Sequence, residues 1–147
     1  DEGLVPYCTK CGEYRFPRFA TAVSMAATNR AKDKILLAKH KGHSGYRLCA
    51  GYVKKGETAE KAVTREFKEE TKLDTVKFKY LNSRYLEEKN ILMLGFLLIA
   101  EDGTPVPDEN ELESVKWFTF EEAAEEVKND SLAEAFLKSA FAEIKKF

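Results

Sequence analysis

Cysteine is scarce in this sequence: 147 residues hold three, Cys8, Cys11 and Cys49. An odd count with no apolar leader at the N-terminus argues against a disulfide framework and for a reducing, cytoplasmic setting. Long apolar runs are missing too. The longest, residues 91–100 (ILMLGFLLIA), is strand-sized and too short to span a bilayer, so no membrane partner is expected. Neither sign of charge dominates, with 24 basic against 25 acidic side chains. Without a basic excess, duplex nucleic acid is not the expected partner. Internal repeats, low-complexity tracts and linkers are also lacking. What is present is a 44% hydrophobic chain, long enough for one domain with a real core. It starts at Asp1 rather than Met, so a piece of a longer protein is expected.

The apolar pattern alternates between strand and helix periods. Residues 19–29 (FATAVSMAATN) and 34–40 (KILLAKH) read as strands around a polar turn. Residues 46–50 form a short strand leading into a loop at Gly51. Residues 75–86 and 90–100 read as a hairpin joined by Glu87, Glu88 and Lys89, and residues 113–120 as another strand. Two closing helices follow, each opened by a capping box, Thr119 with Glu122 and Ser131 with Glu134. In the last helix Leu132, Phe136, Leu137, Ala140, Phe141 and Ile144 form an apolar stripe at helical spacing, read as core with a share available to a dimer contact. This order suggests an α/β fold: a mixed sheet with helices on both faces.

The stretch at 51–73, GYVKKGETAEKAVTREFKEETKL, carries the chemistry. Beyond its loop, about 100° of turn per residue puts Ala59, Ala62, Val63, Phe67 and Leu73 on one arc. Glu66 and Glu70 fall inside that arc, and Glu69 on its edge. Glu60, Lys61, Thr64, Lys68, Thr71 and Lys72 take the solvated side. Three carboxylates at the margin of a buried face raise one another's cost of ionisation, which protonation or a bound cation relieves. Oxygen-only ligands suit a hard ion such as Mg²⁺. The plain alternative is a charged helix whose Glu residues reach water or Lys.

Residues Gly51, Glu57, Arg65-Glu66, Phe67, Glu69-Glu70 and Leu73 stand at the spacing of the Nudix box, and the chain resembles that family. One position departs: Lys72 stands where the family has Gly, which puts the turn at the helix end in question. The resemblance implies an α/β/α sandwich over residues 18–147 and hydrolysis within the pyrophosphate of a nucleoside diphosphate linked to another group, such as a dinucleotide or ADP-ribose. It implies Mg²⁺ or Mn²⁺ held by Glu66, Glu69, Glu70 and the Gly51 carbonyl. Glu57 and Arg65 would brace loop to helix, with Arg65 as an orienting group. Among Glu109, Glu111 and Glu113, Glu111 is the family-type general base, six residues before Trp117. Tyr52 takes an aromatic position suited to stacking on a base or nicotinamide. A small-molecule nucleotide is the expected partner, a homodimer the expected assembly, and a non-catalytic nucleotide sensor the rival function.

Residues 7–12, YCTKCG, have the shape of a metal knuckle. Cys8 and Cys11 can be half of a zinc ribbon, a remnant that binds nothing, or a redox pair. Cys49 reads as a small core residue. His40 and His43 share a loop as solvated side chains, phosphate contacts or, ranked behind these, part of a metal site. The knuckle, Phe16-Pro17, ILLA and the AG-aromatic-V before the box resemble the NAD(H) pyrophosphatase branch, in which a zinc ribbon precedes the Nudix domain. That places a partial ribbon at residues 1–17. The branch's Ser-Gln-Pro-Trp-Pro-Phe-Pro element is missing, replaced by NSRYLEEKNILM at 82–93, and Lys54 stands where the branch has Glu. An NAD(H) preference therefore does not follow.

Overall fold

The structure is a computed structural model describing residues 3–127 and 131–147. Its elements run β1 (Tyr7–Cys8), β2 (Glu13–Tyr14), β3 (Ala20–Thr28), β4 (Lys34–His40), β5 (Cys49–Tyr52), α1 (Ala59–Thr71), β6 (Thr75–Leu86), a 3₁₀ turn (Glu87–Lys89), β7 (Ile91–Ala100), β8 (Leu112–Thr119), α2 (Phe120–Val127) and α3 (Ser131–Ile144). The first two strands make a small sheet of their own. The other six form one sheet in the order β6-β7-β3-β4-β8, with β5 also paired to β3. Only β3 and β7 run parallel, and every other pairing is antiparallel. The expected mixed sheet is therefore present.

Strand β3 holds the sheet together because it is apolar on both faces. Val23, Met25 and Ala27 join Ala62, Val63 and Phe67 of α1 in one core. Ala26, one step out of phase, joins Phe136, Leu137 and Ala140 of α3 in the other. Two helical layers thus enclose the sheet. The Thr119–Glu122 capping box forms reciprocally: Thr119 N–H donates to Glu122 at 2.9 Å and Glu122 N–H to Thr119 Oγ1 at 3.2 Å. The side chain of Ser131, expected to cap α3, lies outside the described residues.

Strand β5 begins three residues later and ends two residues later than the sequence suggested. Gly51 is a strand residue, paired opposite Val23, rather than the start of a loop. A glycine followed by a polar turn reads locally as a break, but the long-range ladder with β3 carries the strand through Tyr52. Thr71 was assigned to the solvated side of α1 and is fully buried. Its hydroxyl donates back to the Phe67 carbonyl at 2.7 Å and accepts from Leu73 N–H at 3.1 Å, which satisfies it inside the core.

Candidate active site

The loop between β5 and α1 is closed by a tight turn. Glu57 N–H donates to the Lys54 carbonyl at 3.0 Å, and Gly56 takes a positive φ of 80° at the third position. Thr58 then caps α1, accepting from Lys61 N–H at 3.3 Å. At the other end Lys72 adopts φ 63°, and its N–H reaches the Lys68 carbonyl. The left-handed cap that favours glycine is therefore kept by a lysine, at a conformational cost of about 1 kcal/mol.

Arg65 ties the loop to the helix. Its Nε and Nη2 donate to the two oxygens of Glu57 at 2.7 and 2.8 Å, the brace expected from the sequence. Nη1 donates to Glu66 at 2.6 Å and to Glu69 at 3.1 Å, and Nη2 also to the Tyr52 carbonyl at 3.0 Å. The Arg65 guanidinium, followed by the Lys54 N–H, holds the Glu57 carboxyl down at about 2.

The carboxylates differ in environment. Glu69 is at the rim, with its side chain 49% exposed. Glu66 lies against Gly51, where an added Cβ would fall 2.1 Å from its Cδ. No residue but glycine leaves that carboxylate in place. Burial raises the Glu66 pKa, against the lowering pull of Arg65. Glu70 is 2% exposed, and neither of its carboxyl oxygens has a partner in hydrogen-bonding geometry. Burial pushes its pKa up to about 8, with Glu66 and Glu111 adding to the rise. The Cys49 thiol, second only to burial in its effect, and the Ala50 N–H pull the other way from β5, though both fall short of full hydrogen-bond geometry. Cys49 itself is fully buried, as a core residue should be.

Glu111 comes from the turn ahead of β8. Its carbonyl accepts from Lys41 N–H at 3.0 Å, fixing it beside the end of β4. There its charge is felt by Glu66, Glu70 and His40 alike. His40 closes β4 and is partly buried rather than a solvated loop residue, and its pKa is lowered first by that burial, then by Arg47. Glu66, Glu70, Gly51 and Glu111 are thus gathered at one place, with Glu69 tied to the same Arg65 nitrogen as Glu66. Among the described residues no three His, Cys, Asp or Glu side chains converge as a finished metal cage.

A cleft of about 910 Å³ opens on the α3 side of the sheet and reaches this cluster at Gly51. Its wall includes His40, His43, Arg47, Tyr52 and Arg84. Successive residues of a strand face opposite ways. Cys49 and Gly51 therefore face α1, while Ala50 and Tyr52 face the cleft, with Tyr52 57% exposed. Sequence reasoning missed Arg47 and Arg84, which reach the cleft only through long-range strand pairing. Cys8 and Cys11 lie apart, on the β1–β2 turn, where Arg15 donates to the Cys11 sulfur at 2.9 Å. Hydrogen bonds from the Cys11 backbone and side chain lead in lowering the Cys8 pKa to about 7.

Known proteins resemble this chain in sequence and in fold. NAD-capped RNA hydrolase NudC of Vibrio vulnificus is 34% identical over 137 residues, covering 92% of this chain and 52% of that one. The protein of the same name from Vibrio cholerae is 31% identical over 143 residues, covering 96% and 52%. This chain spans about half the length of these relatives. Among solved structures, the NUDIX domain of Shewanella oneidensis NrtR complexed with ADP ribose matches with a TM-score of 0.69 at 16% identity, covering 95% of this chain and 93% of that one. A NUDIX hydrolase from Nitrosomonas europaea matches with a TM-score of 0.69 at 19% identity, covering 95% and 78%. The NUDIX domain pattern itself matches residues 18–138, and with the Gly51–Glu66 contact, the Glu57–Arg65 brace and the buried Glu70 in place, the chain belongs to the Nudix family.

Proposed function

We propose that this chain hydrolyses the pyrophosphate bond of a nucleoside diphosphate linked to a second moiety, of the dinucleotide or ADP-ribose type, with Mg²⁺ or Mn²⁺. The observation that carries the proposal is Glu70: a carboxyl buried on α1 against Cys49 and Ala50 of β5, the strand whose Gly51 and Tyr52 line the cleft, with neither oxygen in full hydrogen-bonding geometry. Such a group is costly unless a cation meets it. Glu66, Glu69, Glu70 and the Gly51 carbonyl would hold the ion, with Arg65 bracing Glu66 and Glu69. A divalent cation there supplies neutralisation of phosphate charge and activation of water.

The chain's own residues do the rest. Arg65 fixes Glu66 and the Tyr52 carbonyl in one frame, as an orienting group rather than a phosphate ligand. Glu111, exposed and close enough to Glu66 and Glu70 to raise their pKa values, would take a proton from the attacking water. Tyr52 offers a ring face at the cleft mouth for a base or nicotinamide. The relatives' name adds capped RNA to the substrate candidates.

Three further parts complete the proposal. Cys8 and Cys11 supply two thiolates, half of a tetrahedral zinc set, and metal analysis of the purified protein tests it. Residues 1–17 form a separate knuckle before the domain at 18–147. The exposed Tyr7, Tyr14 and Phe16 suit a homodimer contact, and free thiols suit a reducing cytoplasm. No helix among the described residues is long and apolar enough to cross a membrane.

The test is a panel of NADH, ADP-ribose, diadenosine polyphosphates, nucleotide sugars, nucleoside triphosphates and NAD-capped RNA with Mg²⁺ or Mn²⁺. Turnover of at least one, lost in the Glu69→Gln, Glu70→Gln double variant, is the expected result. No turnover of any, or full activity in the double variant, overturns the proposal. Calorimetric binding without cleavage would favour the sensor.

A further inference from the structure

Strand pairing lines up four residues across one face of the sheet. Arg84 on β6 stands opposite Met93 on β7, Met93 opposite Ala22 on β3, and Ala22 opposite Tyr52 on β5. Directly paired residues project on the same face, and all four line the cleft. With strands about 4.8 Å apart, Tyr52 and Arg84 are separated by roughly 14 Å at the backbone. Their long side chains shorten that span toward the length of one nucleoside. Ala22 leaves the floor between them low, and Met93 makes it apolar and adaptable.

The Arg84 guanidinium makes no hydrogen bond or ion pair with any described residue, unlike Arg15, Arg30 and Arg65; the Arg18 guanidinium is equally uncommitted but does not line the cleft. Glu87 and Glu88 also line this end of the cleft, yet neither is within ion-pair distance of Arg84. Lys89, on the same rim, is likewise without a described side-chain partner. An uncommitted guanidinium on a wall that holds an aromatic at the other end is suited to phosphate. Arg reads phosphate with a planar fork of donors, and an arginine beside a ribose is a recurrent way to accept a phosphate ester on that sugar.

We infer that Arg84 is a specificity residue for a phosphate ester on the ribose of the nucleoside that stacks on Tyr52. The inference rests on the nucleotide-pyrophosphate reading of the same site. With the base on Tyr52 and the pyrophosphate toward the Gly51 end of the cleft, the sugar lies over Ala22, and its free hydroxyl edge faces across Met93 to Arg84. A phosphate there is a 2′-monoester or a 3′-ester, and the 3′ case includes the first linkage of a longer chain.

Two matched pairs separate these: NADPH against NADH for the 2′ position, and coenzyme A against dephospho-coenzyme A for the 3′ position. Binding is measured calorimetrically in EDTA, and hydrolysis in Mg²⁺, so that absence of turnover counts against the hydrolase reading without deciding the binding ratio. The phosphorylated member of at least one pair should bind about fivefold to tenfold tighter, as one partly exposed charge-assisted contact allows. Arg84→Gln should bring that ratio close to one, and Arg84→Lys should keep part of it, with the unfolding midpoint of each variant confirming its fold. A ratio at or below one in both pairs, or a ratio that survives Arg84→Gln, overturns the inference.

Discussion

Replacing Gly51 with alanine should damage activity far more than stability. The added Cβ would fall 2.1 Å from Cδ, 2.3 Å from Oε2 and 2.5 Å from Cγ of Glu66, all well inside contact distance. Every clashing atom belongs to one flexible side chain, so the backbone of β5 has no reason to move. Glu66 must swing away, and it gives up or distorts its 2.6 Å hydrogen bond from Arg65. Overpacking against a side chain that can rotate costs about 1 kcal/mol, near the low end for such changes. Moving a carboxylate by 1 Å or more at the reacting centre costs about 100-fold in rate. The assay is kcat with the best substrate of the panel at saturating Mg²⁺, beside urea unfolding. In the Glu66→Ala background the clash is gone, so Gly51→Ala should then cost almost nothing further in stability. Wild-type kcat in Gly51→Ala, or an undiminished stability cost in the double variant, would refute the reasoning.

Other consequences can be measured on the same protein. Lys72→Gly should stabilise the fold by about 0.5–1 kcal/mol, because the left-handed φ of 63° suits glycine, partly offset by the entropy glycine adds to the unfolded chain; a lower urea midpoint would count against it. Glu70 gives a pH signature in EDTA. Its folded pKa of about 8 lies above the ordinary carboxyl value of 4.5, so the native state binds the extra proton between those values. Stability of the metal-free protein should therefore fall as pH rises from about 4.5 to about 8, the slope should vanish in Glu70→Gln, and Mg²⁺ should protect most at the alkaline end. Glu57 runs the opposite way: its carboxyl is held at about 2, so its contribution is present above 4.5 and is lost as pH falls toward 2. Arg65→Lys should lower kcat while KM changes less, since a lysine cannot hold Glu57, Glu66, Glu69 and the Tyr52 carbonyl together; an unchanged kcat would remove Arg65 from its orienting role.

Local patterns in the sequence carried much of this. Strands β4 and β6 begin and end where their alternation and turn residues indicate, and the helical period of α1 picks out Ala62, Val63, Phe67 and the inward Glu70. The box spacing leads to the Glu57–Arg65 brace because both partners lie within eight residues of one loop and helix. What escaped depends on pairing between distant segments. The parallel β3–β7 ladder has no local signature, and it is this ladder that carries Met93 and Arg84 into the cleft. Gly51 reads as a loop until β3 is known to lie beside it. Thr71 looks solvated on a helical wheel, yet Val106 N–H packs in from the distant β7–β8 loop to bond its carbonyl at 2.8 Å and closes the surface over it. Lys72 shows the reverse case: a sequence departure that promised a different turn and left the backbone unchanged.

The central claim is that a buried, unpartnered Glu70 serves a divalent ion in pyrophosphate hydrolysis. The most direct measurement is the initial rate of cleavage of ADP-ribose or NADH by the wild type and by Glu70→Gln, each with Mg²⁺ and in EDTA. The account predicts nucleoside monophosphate release by the wild type with Mg²⁺ alone, and a loss of about 100-fold or more on replacing Glu70 or removing the ion. Equal rates with and without Mg²⁺, or a Glu70→Gln variant as fast as the wild type, would contradict it.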